Sequence, residues 1–385
     1  MNSKFIYLDY NATTPCDADV VSEMLPYFTE YHGNASSVHY NLGWKSKSAV
    51  DKSREHIANL INANANEIIF TSGATEGNNL AIRGVFDACK EKGNHIITCE
   101  TEHKATLDTL KYLQEKGAEI TYLKVNIDGS INLEEVKEKI KDTTILICLM
   151  FANNETGVVH PIKELGKFAN ENNVIFMTDA TQAVGKIPID VSDCGVDILT
   201  FSAHKMYGPK GIGAIYVKEN KKKYLTPQIT GGGHENGLRS GTLNVPSIVG
   251  FGKASKIAKE EINEKSYLKI KKLRIKLEDN LVDCNSKLNG LGALRLPHVA
   301  NISFPEIDGK RLLKLLNKFV AVSSGSACSS SSLETSHVLK AMGIDSETAQ
   351  ATIRFSLGKN TTEQEIDFTI SKVKEILEIL DKSKN

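Results

Sequence analysis

Four groups of residues in this 385-residue sequence have the types and spacing to do chemistry. Residues 70–77 (FTSGATEG) join an apolar run to a helix-like one. Gly73 permits a tight turn there, and the amides that follow would point along a helix axis. Unpaired amides and the helix dipole at such a point favour a phosphate. Taken alone, the stretch also reads as an ordinary helix start with a Ser or Thr cap. DATQ at 179–182 and SAHK at 202–205 each follow an apolar run, which places their side chains at strand C-terminal ends, where open α/β sheets bind ligands. An Asp, a Gln, a Ser, a His and a Lys converging there suit pyridoxal phosphate, which requires a lysine amine to hold it, an acid facing its pyridinium nitrogen and donors for its phosphate. Singly, Lys205 reads as a solvated loop lysine and Asp179 as a helix cap; the phosphate turn upstream makes the coenzyme site the better reading of both. The fourth group is Cys328 within SSGSACSSSS at 323–332. Residues this small pack no core, so composition predicts an exposed, mobile tether. A thiol there suits a nucleophile that must travel, and it also fits a free cysteine in a linker. Arg354, after β-branched residues, is suited to grip a carboxylate bidentately, although most isolated arginines are surface residues.

These residues need elements to position them. Strand-like runs fall at 67–71, 95–99, 119–125, 144–150, 174–178, 198–202 and 213–217, with amphipathic stretches at 74–90, 105–117, 133–141 and 162–172 between them. Nearly all-apolar strands alternating with helices predict an α/β body whose sheet is largely parallel and covered on both faces. After residue 245 the pattern changes. Positions 248–282 read as one long Lys/Glu-rich amphipathic helix, followed by shorter mixed segments and a final helix opened by Thr362 and Glu365 at capping-box spacing. A domain boundary is expected near 258.

Composition excludes several function classes. Lys+Arg and Asp+Glu are equal at 47, so no overall positive field exists to hold nucleic acid or an anionic membrane. The longest apolar run, 145–152, is too short to span a bilayer, and the first residues lack the apolar stretch of a secretory signal. A cytoplasmic protein is expected. Seven cysteines with no CxxC pair argue against a disulfide framework or a zinc ribbon, and no metal site is expected. There is no Walker-A pattern and no strand-following GxGxxG, so nucleotide loops find no support.

Taken in order, the motifs resemble the cysteine desulfurases (NifS/IscS-like), pyridoxal-phosphate enzymes of the fold-type-I, class-V aminotransferase-like class. The matching stretches are YLDYNATTP at 7–15, GNASS at 33–37, SGATE at 72–76, TEHK at 101–104, NNETG at 153–157, DATQ at 179–182, SAHKMYGPKG at 202–211, GGGHE at 231–235, RSGT at 239–242, SGSAC at 324–328 and RFSLG at 354–358. So many ordered matches are specific where any one would be weak. The resemblance implies a large coenzyme domain over 13–257, with a mainly parallel seven-stranded sheet flanked by helices. It also implies a smaller α/β domain from 1–12 and 258–385 that carries the cysteine loop. Position by position, it implies that Lys205 holds the coenzyme, Asp179 pairs with the pyridinium nitrogen and Gln182 bonds the phenolic oxygen. His103 stacks on the ring and relays protons. Ala74, Thr75, Ser202 and His204 cradle the phosphate, with Thr242 reaching it from a second subunit, so a homodimer is expected. Asn34, Asn154 and Arg354 hold the substrate carboxylate, Asn154 also lying against the coenzyme, and Cys328 attacks the substrate sulfur. One departure is Ala35, where many relatives have Pro, which leaves the turn presenting Asn34 less rigid. The implied reaction takes L-cysteine to L-alanine and passes a persulfide on Cys328 to an acceptor such as an iron–sulfur scaffold protein. Selenocysteine cleavage or another fold-type-I activity such as transamination is the alternative, and a non-catalytic scaffold is a third.

Overall fold

Near-continuous apolar runs have no polar face to turn to water and must be covered on both sides. In the computed structural model, which describes residues 5–282, 286–324 and 335–382, seven such runs pair into one sheet. They are β1 (Ile68–Thr71), β2 (His95–Cys99), β3 (Glu119–Leu123), β4 (Thr144–Cys148), β5 (Ile175–Asp179), β6 (Ile198–Ser202) and β7 (Gly213–Val217). Their order across the sheet is β1-β7-β6-β5-β4-β2-β3. Only β7 runs against its neighbours; the other pairings are parallel. The edge strand β3 is the one whose residues are mostly not buried.

Helices α1 (Ala74–Ala88), α2 (Lys104–Gln114), α3 (Leu133–Lys139) and α4 (Ile162–Glu171) link successive strands. One apolar cluster on the sheet includes Phe176, Leu199, Phe201 and Phe251, and another includes Ile69, Ile82, Leu146 and Met177. Alternation along β5 divides them: Phe176 joins the first and Met177 the second, as side chains of a strand must. A separate cluster unites Leu8, Leu277, Ile302, Leu312, Phe355 and Val373. It packs on a small antiparallel sheet, in the order Ser323–Ser324, Thr352–Ser356, Val299–Ser303, Lys287–Leu288. The short strand Ile6–Tyr7 joins this second body by pairing with Val320–Ala321.

The single helix expected over 248–282 is two, α5 (Val245–Asn263) and α6 (Tyr267–Val282). Lys265 adopts a φ of +57°, and a left-handed residue cannot continue an α-helix. The break lets α5 stay on the large sheet while α6 joins the second cluster. Residue 258 lies inside α5. The last helix, α7 (Glu363–Lys382), opens as its sequence predicts: the Thr362 amide donates to Glu365 Oε2 at 2.9 Å and the Glu365 amide to Thr362 Oγ1 at 3.2 Å. Among the described residues no helix is long and apolar enough to cross a membrane, and no cluster of His, Cys, Asp and Glu is arranged to hold a metal.

Candidate active site

Loops leaving the C-terminal ends of β1, β2, β4, β5 and β6 line a cavity of about 300 Å³. It contains Ala74, Thr75, His103, Asn154, Asp179, Gln182, Ser202, His204, Lys205 and Arg354. Lys205 ends a one-turn 3₁₀ segment, Ala203–Lys205, directly after β6. Its Nζ donates to the carbonyls of Asn11 at 2.6 Å and Ala12 at 2.8 Å. Asp179, the last residue of β5, is buried; its Oδ2 accepts from Asn78 Nδ2 at 2.7 Å and its Oδ1 from the Thr181 amide at 3.0 Å. Asn78 is itself fixed, because its Oδ1 accepts from Thr200 Oγ1 at 2.5 Å.

On the phosphate-turn side, the Ala74 amide donates to Ser202 Oγ at 2.7 Å. Thr75 and Glu76 belong to the first turn of α1, where no i−4 carbonyl exists to receive their amides. A β-carbon at Gly213 would lie 2.6 Å from the Gly73 Cα, so only glycine lets β7 pass this close behind the turn. Glu76 closes the turn from outside, accepting from the Ser72 amide at 2.7 Å and from Arg239 Nε at 2.8 Å. Burial pushes its carboxyl up, but the Arg239 and Ser72 hydrogen bonds outweigh that and hold it below the usual range. His204 Nδ1 lies 3.1 Å from Thr13 Oγ1, and burial, with Lys205 and Lys210 nearby, pushes the imidazole down to about 4. It is therefore neutral at physiological pH. His103 caps α2, its Nδ1 accepting from the Ala105 amide at 3.1 Å, which leaves the ring proton of the neutral form on Nε2.

Arg354, on the Thr352–Ser356 strand, reaches the cavity from the second body. Its Nη2 bonds Asp9 Oδ1 at 2.6 Å and its Nη1 the Asn154 carbonyl at 3.1 Å, while its Nε is buried without a partner. Thr181 Oγ1, another lining atom, is likewise buried and unpartnered. Unsatisfied polar atoms facing a polar cavity mark places for a ligand's groups. An amine, a fixed buried carboxylate, orphan helix-start amides and unspent donors are together the set that pyridoxal phosphate requires, so the residues fit that coenzyme.

Asn34 and Thr242 do not line the cavity, and both are exposed. Asn34 Oδ1 accepts from the Ser36 amide at 2.9 Å, a local turn contact. Cys328 lies outside the described residues. Of the five described cysteines, Cys16, Cys89, Cys99, Cys148 and Cys194, none lines the cavity, and burial raises every one, Cys99 to about 12.

A family model described as class-V aminotransferase matches residues 6–368. The chain belongs to the class-V aminotransferase family. A cysteine desulfurase IscS from Buchnera aphidicola is 50% identical over 372 residues, covering 96% of this chain and 91% of that protein. A mitochondrial cysteine desulfurase from Candida albicans is 48% identical over 381 residues, covering 98% and 78%. Among solved structures, a NifS-like protein superposes with a TM-score of 0.91 at 38% identity, covering 98% of this chain and all of that one. This class-V aminotransferase fold and its pyridoxal-phosphate coenzyme agree with what the motifs implied.

Sequence reasoning missed Asn11, Asn78, Thr181 and Asp9. Asn78 carried a signal, a polar residue on the otherwise apolar face of α1. Asn11 bonds Lys205, Gln182, His298 and Asn154 at once, and nothing local marks it as the hub of the site.

Proposed function

We propose that this chain is a pyridoxal-phosphate-dependent cysteine desulfurase that converts L-cysteine to L-alanine and carries the sulfur as a persulfide on Cys328. The acceptor is a protein such as an iron–sulfur scaffold, and the enzyme works as a cytoplasmic homodimer. The observation that carries this reading is the meeting of Lys205, Asp179, His103 and Arg354 at one cavity, in a chain about half identical to proteins named cysteine desulfurase.

When bound, the coenzyme supplies an electron sink for charge developing at the substrate Cα. Lys205 holds it, and Asp179, pinned by Asn78 and the Thr181 amide, faces the pyridinium nitrogen. Gln182 meets the phenolic oxygen. Ala74, Thr75, Ser202 and the neutral His204 receive the phosphate, and Thr242 of a second copy completes that cradle. His103 would lie against the bound ring and relay protons. Arg354, with Asn154, takes the substrate carboxylate, and Asp9 holds the guanidinium in place. In the sulfur step the Cys328 sulfur bonds the substrate sulfur, the carbon–sulfur bond breaks and alanine leaves with a hydrogen in place of sulfur. L-Cysteine plus thiol becomes L-alanine plus persulfide, with no outside oxidant. The described thiols are all disfavoured as thiolates, which supports assigning the step to Cys328.

The separate apolar clusters support a division into a large domain over 13–257 and a small one from 1–12 and 258–385. Exposed Val21, Leu25, Phe28, Val38, Tyr40 and Trp44 support a second copy as partner, since apolar side chains gathered in one stretch suit an interface. Cys328→Ala should keep the coenzyme's colour and lose nearly all alanine formation from L-cysteine. Alanine release at the wild-type rate would overturn the role of Cys328. Loss of the colour would instead make the cysteine segment a support of the pocket.

A further inference from the structure

A second cavity, of about 600 Å³, lies behind the coenzyme site, between the two bodies. Its walls come from the turn at Gly185 and Lys186, from Tyr207, from the α5–α6 break and from the stretch 357–360. One hydrogen bond links its lining to that of the coenzyme pocket. His298 lines this second cavity, and that ring's Nε2 bonds Asn11 Oδ1 at 2.9 Å, while the Asn11 carbonyl receives Lys205.

The charges in this cleft are unevenly spent. Lys359 Nζ donates to both carboxylates, Asp17 at 2.7 Å and Glu261 at 2.9 Å, and the Lys359 amide donates to the Tyr207 hydroxyl oxygen at 2.7 Å. Lys186 has no carboxylate within 4.0 Å among the described residues; its ammonium stands 4.6 Å over the Tyr207 ring, which Lys359 approaches at the same distance. Lys269 adds a further positive charge to the lining, and Ile262, Ile270, Pro297 and Leu357 add apolar surface. A half-buried cation with no carboxylate in contact, beside an aromatic face and aliphatic walls, is complementary to an anion with an apolar body.

We propose that this cleft is a second ligand site, for a small organic anion whose acidic group pairs with the Lys186 ammonium and whose apolar body lies on Tyr207, Ile262 and Ile270. The inference does not depend on the reaction proposed for the coenzyme pocket. Burial, with Lys359 and Lys205 nearby, outweighs the opposing Glu261 carboxylate and pushes Lys186 down to about 8, so its charge changes in an accessible range. Of the groups facing it, the Lys359 hydrogen bond holds Asp17 low, and burial sends His298 far down and Tyr207 up. Lys359 is raised, since its bonds to Asp17 and Glu261 outweigh burial. Glu261 and Lys269 complete the charged groups on the cleft.

The test is fluorescence titration of the coenzyme-loaded protein with 8-anilinonaphthalene-1-sulfonate, an apolar dye whose sulfonate does not titrate. One saturable dye per chain is expected. Lys186→Gln should weaken its binding on the order of tenfold, the usual worth of one charge-assisted contact. Ile262→Trp, which fills the cleft and keeps the lysine, should abolish it. In the wild type, affinity should fall as pH rises from 7 to 9. Should either variant unfold, the wild-type pH profile decides alone. Unchanged affinity in a folded variant, or a flat profile over that range, overturns the site.

Discussion

Arg354 and Asp9 show how a single side chain is prepared for a ligand. The guanidinium is nearly buried and would wander among rotamers if nothing held it, and the 2.6 Å contact with Asp9 fixes its plane. Its Nε remains unspent. Asp9 is a positioning residue in this arrangement, acting on substrate only through Arg354. Asp9→Asn keeps the shape and removes the charge, so it should raise KM for L-cysteine by roughly tenfold while changing kcat much less, the pattern of a lost ground-state contact. Steady-state kinetics check this, and an equal fall in kcat with KM unchanged would place Asp9 in the chemistry instead.

At the scale of elements, paired charges tie loops to the sheet. Glu235 accepts from Arg54 Nη1 at 2.8 Å and Nη2 at 2.6 Å, and its Oε2 also accepts from the Phe70 amide at 2.8 Å. One carboxylate thus fastens the 231–242 segment to β1, immediately before the phosphate turn. Its side chain is only 2% exposed, so removing it strands the Arg54 charge and an amide of β1. Glu235→Ala should cost about 3 kcal/mol of stability by denaturant unfolding, the usual size for breaking a buried pair. A loss no larger than that of an exposed pair would mean that Arg54 finds another partner. Glu76 and Arg239 make a second such clamp from the same segment to α1. The two clamps hold Glu235 and Arg239 beside the coenzyme turn although most of their segment forms no regular element.

The whole molecule carries a pH dependence of its own. His160 is 3% exposed with both ring nitrogens unpartnered, and burial pushes it down to about 4. A histidine depressed on folding contributes stability above its unfolded pKa of 6.5 and loses it as pH falls toward 4. Burial depresses His298 and His204 in the same direction. Acidification from pH 6.5 to 4 should therefore cost about 3 kcal/mol at His160 by proton linkage, partly offset by Glu102 and Glu155, whose buried carboxyls are raised on folding. His160→Leu leaves no orphaned nitrogen and should flatten the curve; an unchanged slope in thermal melts would show that His160 is not its source. The proposed homodimer belongs to this scale too. Sedimentation should find two copies at working concentrations, and a fully active monomer would refute the pairing.

The sequence by itself determined the sheet, and the ends of its strands to within two residues, because apolar runs of four to seven residues between amphipathic stretches have few other ways to bury themselves. It also placed Lys205 and Asp179 at one edge, since chemistry-bearing residues after strands of a parallel sheet emerge on the same side, and the family resemblance added His103, which lines the same cavity. Where the pattern was ambiguous, tertiary structure decided. The amphipathic stripe over 248–282 is continuous, and only the need to cover two different cores breaks it at Lys265. Asn11 and Asp9 become site residues through contacts with positions more than 100 residues away, for which local sequence holds no signal. Asn34 and Thr242, carried by motif alone, stand outside the cavity, because a linear match fixes a residue's neighbours in sequence and not the place its side chain reaches in space. The cleft at Lys186 was invisible for the same reason: its lysine, its aromatic face and its spent carboxylates come from four separate stretches that only folding brings together.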